Sequence, residues 1–235
     1  MDTVLRALVD LRDRQIQKAR IQFTLRLSAL ERGADYDPNG QQALILARYK
    51  DIFAAIEQSL DDDIEALCEG VPIIDAMIQV KGVSYGLAAK VVAMVDIERA
   101  PTISALWRYA GYGVVDGQRE KSVKGEKRHY NGRLKSTCYL IAISFLKCNS
   151  PYRQEYDKAK GKYQRDHPDW TKLHTHYAAL GNMIKLYLAH LWLTWRTMEG
   201  LSTRPPYVQE YLGHTSISSP EEYGWPALQQ LAEAA

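Results

Sequence analysis

Residues Ile78 to Val95 read Ile-Gln-Val-Lys-Gly-Val-Ser-Tyr-Gly-Leu-Ala-Ala-Lys-Val-Val-Ala-Met-Val, a glycine bend opening onto an apolar helix, and the chemistry such a stretch serves is the holding of a phosphate. A glycine lets the backbone come close to a ligand, while the first-turn amides of the following helix, at the positive end of its dipole, favour an anion. Lys81, Gly82, Val83, Ser84, Gly86 and Lys90 are the candidate binding residues here, with the Ser84 hydroxyl standing where a second glycine is more usual. The same residues also read as a plain corner between two helices, Gly82 ending one and Ser84 or Tyr85 beginning the next. Both readings stay open on these residues alone.

A second group of residues points to the same ligand. Between Gly117 and Arg165 there are 13 bases and 4 acids. Such a local excess of nine is the electrostatic footprint expected of a polyanion-binding surface. Arg119, Lys121, Lys124, Lys127 and Arg128 fall in the glycine-containing, apolar-poor stretch Asp116 to Asn131, which predicts an exposed irregular loop or hairpin. A helix is expected to restart at Asn131 or Gly132 with Arg133 and Lys135 in its first turn. Positive charge at a helix start opposes the dipole, and a bound phosphate would relieve that conflict.

The elements that must position these groups are helical. Val9, Ile16, Phe23 and Leu30 recur at heptad spacing in a long first helix, interrupted by Arg12 and Arg26; Asp37-Pro38-Asn39-Gly40 is a turn. Ile45, Tyr49, Ile52, Ile56, Leu60, Ile64 and Leu67 form the stripe of a returning helix. Residues 1–70 are thus expected to form an antiparallel helical hairpin, or coiled coil. Gly70 and Pro72 mark the boundary to a helical domain over 71–199, which uses Leu134, Ile141 and Phe145, then Tyr152, Tyr156, Ala159 and Tyr163, then Ile184, Leu188, Leu191 and Trp195. The prolines and serines beyond Gly200 predict a loosely packed tail over 200–235. Alternating strand patterns are scarce, so the fold class is all-α.

Composition narrows the function classes. A chain of 235 residues, 46% hydrophobic, is long enough to bury a sizeable core. Cys68, Cys138 and Cys148 lack the paired short spacing of a zinc site and read as buried thiols in a reducing compartment. The acidic run Asp61-Asp62-Asp63 reads as the wet face of its helix, and His167, His174 and His176 as surface histidines, so neither metal nor cofactor is expected. The charged N-terminus and the interruption of the most apolar run by Lys185 and His190 argue against a leader peptide or a membrane span, and the expected location is cytoplasmic.

The order of the glycine bend, Tyr109-Ala-Gly-Tyr-Gly113, the basic loop, Asn131-Gly-Arg-Leu-Lys135 and Met183-Ile-Lys-Leu-Tyr-Leu-Ala-His-Leu-Trp192 resembles the C-terminal transposase domain of Piv-type invertases and related RNA-guided insertion-sequence transposases. The resemblance covers roughly residues 71–198, and a coiled-coil hairpin commonly precedes that domain. It implies a helix-hairpin-helix-like domain that grips nucleic-acid backbone. Family members also carry an N-terminal RuvC-like domain with four magnesium-binding acids and a C-terminal serine nucleophile. Nothing ahead of the hairpin here supplies the RuvC-like strands and carboxylates, and the family's Ser-Gly pair falls on Asp116-Gly117. A carboxylate repels phosphate and forms no phosphoserine-like intermediate, so Asp116 does not replace the serine; Ser122, in the basic loop, is the remaining candidate and Ser136 lies within a helix.

The leading expectation is therefore a transposase-like protein without its own catalytic centre that binds nucleic acid, DNA before structured RNA, through phosphate contacts. Two alternatives stand beside it. One is half of a split serine-type recombinase completed by a RuvC-like partner chain. The other is an oligomerising interaction protein, a homodimer through the Val9, Ile16, Phe23 and Leu30 seam, that has lost nucleic-acid binding; closure of that seam by the second helix of the same chain explains it equally well.

Overall fold

In the computed structural model, which describes residues 3–115, 118–119, 125, 128–203, 219–229 and 231, the apolar periodicity resolves into helices and the chain is all-α. It folds as two compact units, Met1–Glu69 and Gly70–Ala235.

Unit 1 runs outward through α1 (Thr3–Leu11), a π-helical turn (Arg12–Ile16) and α2 (Gln17–Glu31), and returns along α3 (Gln41–Cys68). The turn between them is closed by Asp37, whose backbone and side-chain oxygens accept from the amides of Gly40 and Asn39 at 3.0 and 2.9 Å. Pairings that run in opposite directions along the two legs, Arg12 with Asp61, Arg20 with Glu57 and Phe23 with Tyr49 and Phe53, make the legs antiparallel. Phe23 stacks on both rings with centroids 5.4 and 5.6 Å away, and Val9 is buried, so the heptad seam is occupied within the chain.

The expected stripe on α3 is buried at two of its seven residues. Leu60 and Ile64 are buried, but Ile45, Tyr49, Ile52, Ile56 and Leu67 are 37% to 44% exposed. A helix with one neighbour has only a narrow strip covered, and the covered strip of α3 includes Ala43 and Glu57. Glu57 is tolerated there because Arg12 reaches it at 3.0 Å, Arg20 pairs with it closely, and Gln17 donates to it at 3.3 Å. Arg12, which interrupts the heptad pattern, thus serves α3, and the π turn lies where it reaches across. Burial opposes its charge, but hydrogen bonds to Asp61 and Asp13 outweigh that and hold the guanidinium above its usual range. Glu57→Ala, which takes the carboxylate from Arg20 and leaves Arg12 with Asp61 and Asp13, is expected to cost about 1–3 kcal/mol in urea unfolding, while Glu57→Gln, which keeps an acceptor, costs less.

Unit 2 is built on α9 (Lys172–Met198), in which Ile184, Leu188, Leu191 and Trp195 are buried. Around it lie α4 (Pro72–Gln79), α5 (Tyr85–Met94), α6 (Ile103–Tyr109), α7 (Gly132–Cys148) and α8 (Tyr152–Asp166). Leu134, Ile141 and Phe145 of α7 point into the core, as do Tyr152, Tyr156 and Ala159 of α8. Two indoles lock α9 to its neighbours: Trp192 Nε1 donates to the Ala100 carbonyl at 2.7 Å, and Trp107 Nε1 donates to that of Lys185 at 2.9 Å. A two-residue antiparallel pairing of β1 (Val114–Val115) with β2 (Gln118–Arg119) opens the basic stretch.

The tail departs from expectation. Tyr223, which ends a 3-10 turn at Pro220–Tyr223, and Trp225 are 5% and 3% exposed, and Trp225 Nε1 donates to the Tyr152 hydroxyl at 2.8 Å. Pro220, Tyr223 and Trp225 thus belong to the core, because the two large aromatic rings close the ring cluster formed by Tyr152, Tyr187 and His190. Residues 204–218, in the same expected tail, lie outside the described residues.

Candidate nucleic-acid interface

The glycine bend is real, and its parts do different work from what the spacing alone suggests. Gly82 has φ +105°, a conformation that favours glycine, and a Cβ there would stand 2.8 Å from Cys148 Sγ and 3.0 Å from Phe145. Its missing side chain seats the bend against the last turns of α7. The amide of Val83 donates to the Val80 carbonyl at 3.0 Å and the side chain is buried, so Val83 is not a phosphate donor. Ser84 is the N-cap of α5, accepting from the Leu87 amide with both its hydroxyl and its carbonyl oxygen, at 3.4 and 3.0 Å.

What remains for an anion is the next pair of amides. Tyr85 and Gly86 are the first two residues of α5, and first-turn amides precede any intrahelical acceptor. Gly86 is exposed and nothing lies within 4 Å of where its Cβ would be, so the approach is open. Lys81 in the bend is exposed, and Lys147, one residue before Cys148, is exposed beside it. Lys90 is half-buried and has a partner inside the fold, which removes it from the first rank of candidates.

The second group sits at the other end of α7. Asn131 caps that helix, its side-chain oxygen accepting from the amides of Arg133 and Leu134 at 3.1 Å each. These two amides are satisfied by the chain itself, so they are not the phosphate donors that the charge conflict suggested. Lys135 places its ammonium 4.5 Å from the Tyr130 ring centroid, Arg133 is half-buried and Arg128 is exposed beside Gly132, the last two with partners in the fold. Arg119 is described in its backbone alone, as part of β2; Asp116, Lys121, Ser122, Lys124 and Lys127 lie outside the described residues. Ser136 donates to the Gly132 carbonyl at 3.0 Å from within α7.

The two groups do not meet at one point. Residues 144–148 touch the bend and residue 131 receives the basic stretch, so at about 1.5 Å per residue they lie about 20 Å apart along α7. The far end of α5 returns toward residue 131: Tyr109 donates from its hydroxyl to the Met94 carbonyl at 2.9 Å and accepts from Asn131 at 2.9 Å. The helices α5 and α7 are therefore antiparallel, and the two groups sit at opposite ends of α7, with no basic residue between Lys135 and Lys147 on that helix. On α8, Lys158 pairs with Glu155 at 2.7 Å and Arg153 with Asp157 at 3.6 Å; Lys162 and Arg165 are exposed, Asp166 follows them, and Lys160 lies half-buried over the Tyr156 ring.

Sequence reasoning missed a cavity of about 430 Å³ at the basic end of α7, lined by Tyr112, Lys135, Ser136, Tyr139 and Leu140 on one side and by Tyr177 and its α9 neighbours on the other. Tyr139 and Leu140 stand side by side on an exposed part of α7, a faint signal for an apolar surface. Tyr177, distant along the chain, could not have been assigned to it. Among the described residues no group of three or more His, Cys, Asp or Glu could hold a metal ion, and no helix is long and apolar enough to cross a membrane. No protein-family model, curated protein or solved structure matches the chain.

Proposed function

We propose that unit 2 binds nucleic acid, DNA in the first instance, as a transposase-like module that grips phosphate backbone along α7. The observation that carries this reading is the charge of the segment from Gly117 to Arg165, 13 bases against 4 acids, two of those acids already paired on α8. The open first turn of α5 adds a neutral contact at the other end of α7, with Lys81 and Lys147 beside it. Contacts about 20 Å apart span several phosphates of one strand, which rise by about 3.4 Å each along a duplex. Such contacts position a protein on the backbone without reading bases.

Charge reversal tests the reading. The triple variant Lys124→Glu, Lys127→Glu, Arg128→Glu is expected to lose at least about tenfold in affinity for duplex DNA at low salt, since each cation contributes through counterion release. Fluorescence anisotropy with a short labelled duplex measures it. Unchanged affinity would contradict the proposal and favour an interaction protein in which these charges serve only solvation.

A further inference from the structure

We propose that the cavity between α7 and α9 receives a single unstacked nucleobase, which would direct the protein to DNA with a bulged, mismatched or single-stranded nucleotide. The inference rests on the nucleic-acid reading of unit 2. The cavity's volume, about 430 Å³, lies within the range of about 300–1,000 Å³ typical of small-molecule sites. Its mouth is framed by two tyrosines in tilted ring contact, Tyr139 and Tyr177, with centroids 6.4 Å apart and planes inclined by 41°. A planar ring held between two others needs about 7 Å, two layers of about 3.5 Å each. To hold a base between them the two rings must part and turn toward parallel, losing their 41° inclination.

The surroundings fit a base better than they fit another apolar guest. Leu180 and Ile184 are buried beneath the mouth, and Gly181 carries no side chain to fill it. Polar atoms lie at the rim, the Ser136 hydroxyl among them, and Lys135 supplies the charge there. Among the described residues no acid lines the cavity, and the segment that precedes α7 in the sequence is rich in bases. Tyr139 and Tyr177 are 37% and 45% exposed, and stacking on a base would cover them. Stacking of this kind is tolerant of sequence because every base has a π-face. In an intact duplex the base must first leave the stack, which is easiest where it is already unpaired.

The test compares the full chain on a perfect duplex and on the same duplex carrying one bulged 2-aminopurine, at one salt concentration. The bulged duplex is expected to bind about 5- to 100-fold more tightly, with the 2-aminopurine emission quenched on stacking. Tyr139→Ala and Tyr177→Ala, both at exposed positions, are expected to abolish the preference and the quenching while leaving perfect-duplex affinity unchanged; Tyr177→Phe, which keeps the ring, is expected to retain both. Equal affinity for the two duplexes with unaltered emission would overturn the base pocket and leave backbone binding standing. Failure of both duplexes to bind would overturn backbone binding, and the pocket with it.

Discussion

Trp225→Ala is expected to destabilise the protein by about 3–5 kcal/mol, the cost of removing a large buried aromatic side chain and leaving a cavity. Trp225 is 3% exposed and stands 5.8 Å, centroid to centroid, from Tyr187, while its indole donates to the Tyr152 hydroxyl. That hydroxyl is also 2.6 Å from His190 Nδ1, so the indole belongs to a buried polar chain inside an aromatic cluster. Trp225→Phe separates the two contributions. It keeps most of the ring packing and leaves the Tyr152 oxygen short of one donor, for an expected loss of about 1–2 kcal/mol. Urea unfolding followed by tryptophan fluorescence and by circular dichroism measures both. A Trp225→Ala variant as stable as the parent would mean that Trp225 does not close the core.

Gly82→Ala is expected to cost about 2–5 kcal/mol, from two sources that can be separated. The backbone at φ +105° disfavours any side chain, and the added methyl would overlap Cys148 Sγ at 2.8 Å and Phe145 at 3.0 Å. Cys148→Ala removes the sulfur. In the double variant Gly82→Ala, Cys148→Ala part of the loss is expected to return, giving a coupling of about 1–2 kcal/mol, while the backbone strain remains. Additive losses would show that the bend is not seated on the end of α7 as described. Because the bend orients the first turn of α5, the single variant is also expected to weaken DNA binding even under conditions where it remains folded.

The parts of this molecule that could be read from the sequence are those where one helix face is buried over several turns. Leu134, Ile141 and Phe145, and Ile184, Leu188, Leu191 and Trp195, declare their faces by spacing because α7 and α9 are packed deeply. The stripe on α3 misleads for the opposite reason: a helix in a two-legged hairpin has too little cover to bury all its apolar residues, and Ile45, Tyr49, Ile52 and Ile56 are left out. Caps at Ser84, Thr102 and Asn131 follow from local chemistry and are found where the residue types place them.

The candidate site was legible only in part. Gly82 marks a bend, but whether a glycine serves a ligand or a neighbouring helix depends on what lies opposite, and here that is Cys148 and Phe145. Val83 and the first amides of α7 are spent on the chain's own oxygens, a matter of geometry that residue types do not encode. The packing of Tyr223 and Trp225 was hidden by the prolines and serines around them, which read as the marks of a loose end. The Tyr139 and Tyr177 pair joins residues on two helices with no common sequence pattern.

Backbone capture by cations makes one demand above all others, that binding release counterions. The affinity of the full chain for a short duplex DNA, measured across a series from about 50 to about 200 mM salt, is expected to fall along a straight line in a double-logarithmic plot, by at least about 100-fold over the range. An affinity that stays level across that series, or no binding at its low-salt end, would contradict the account.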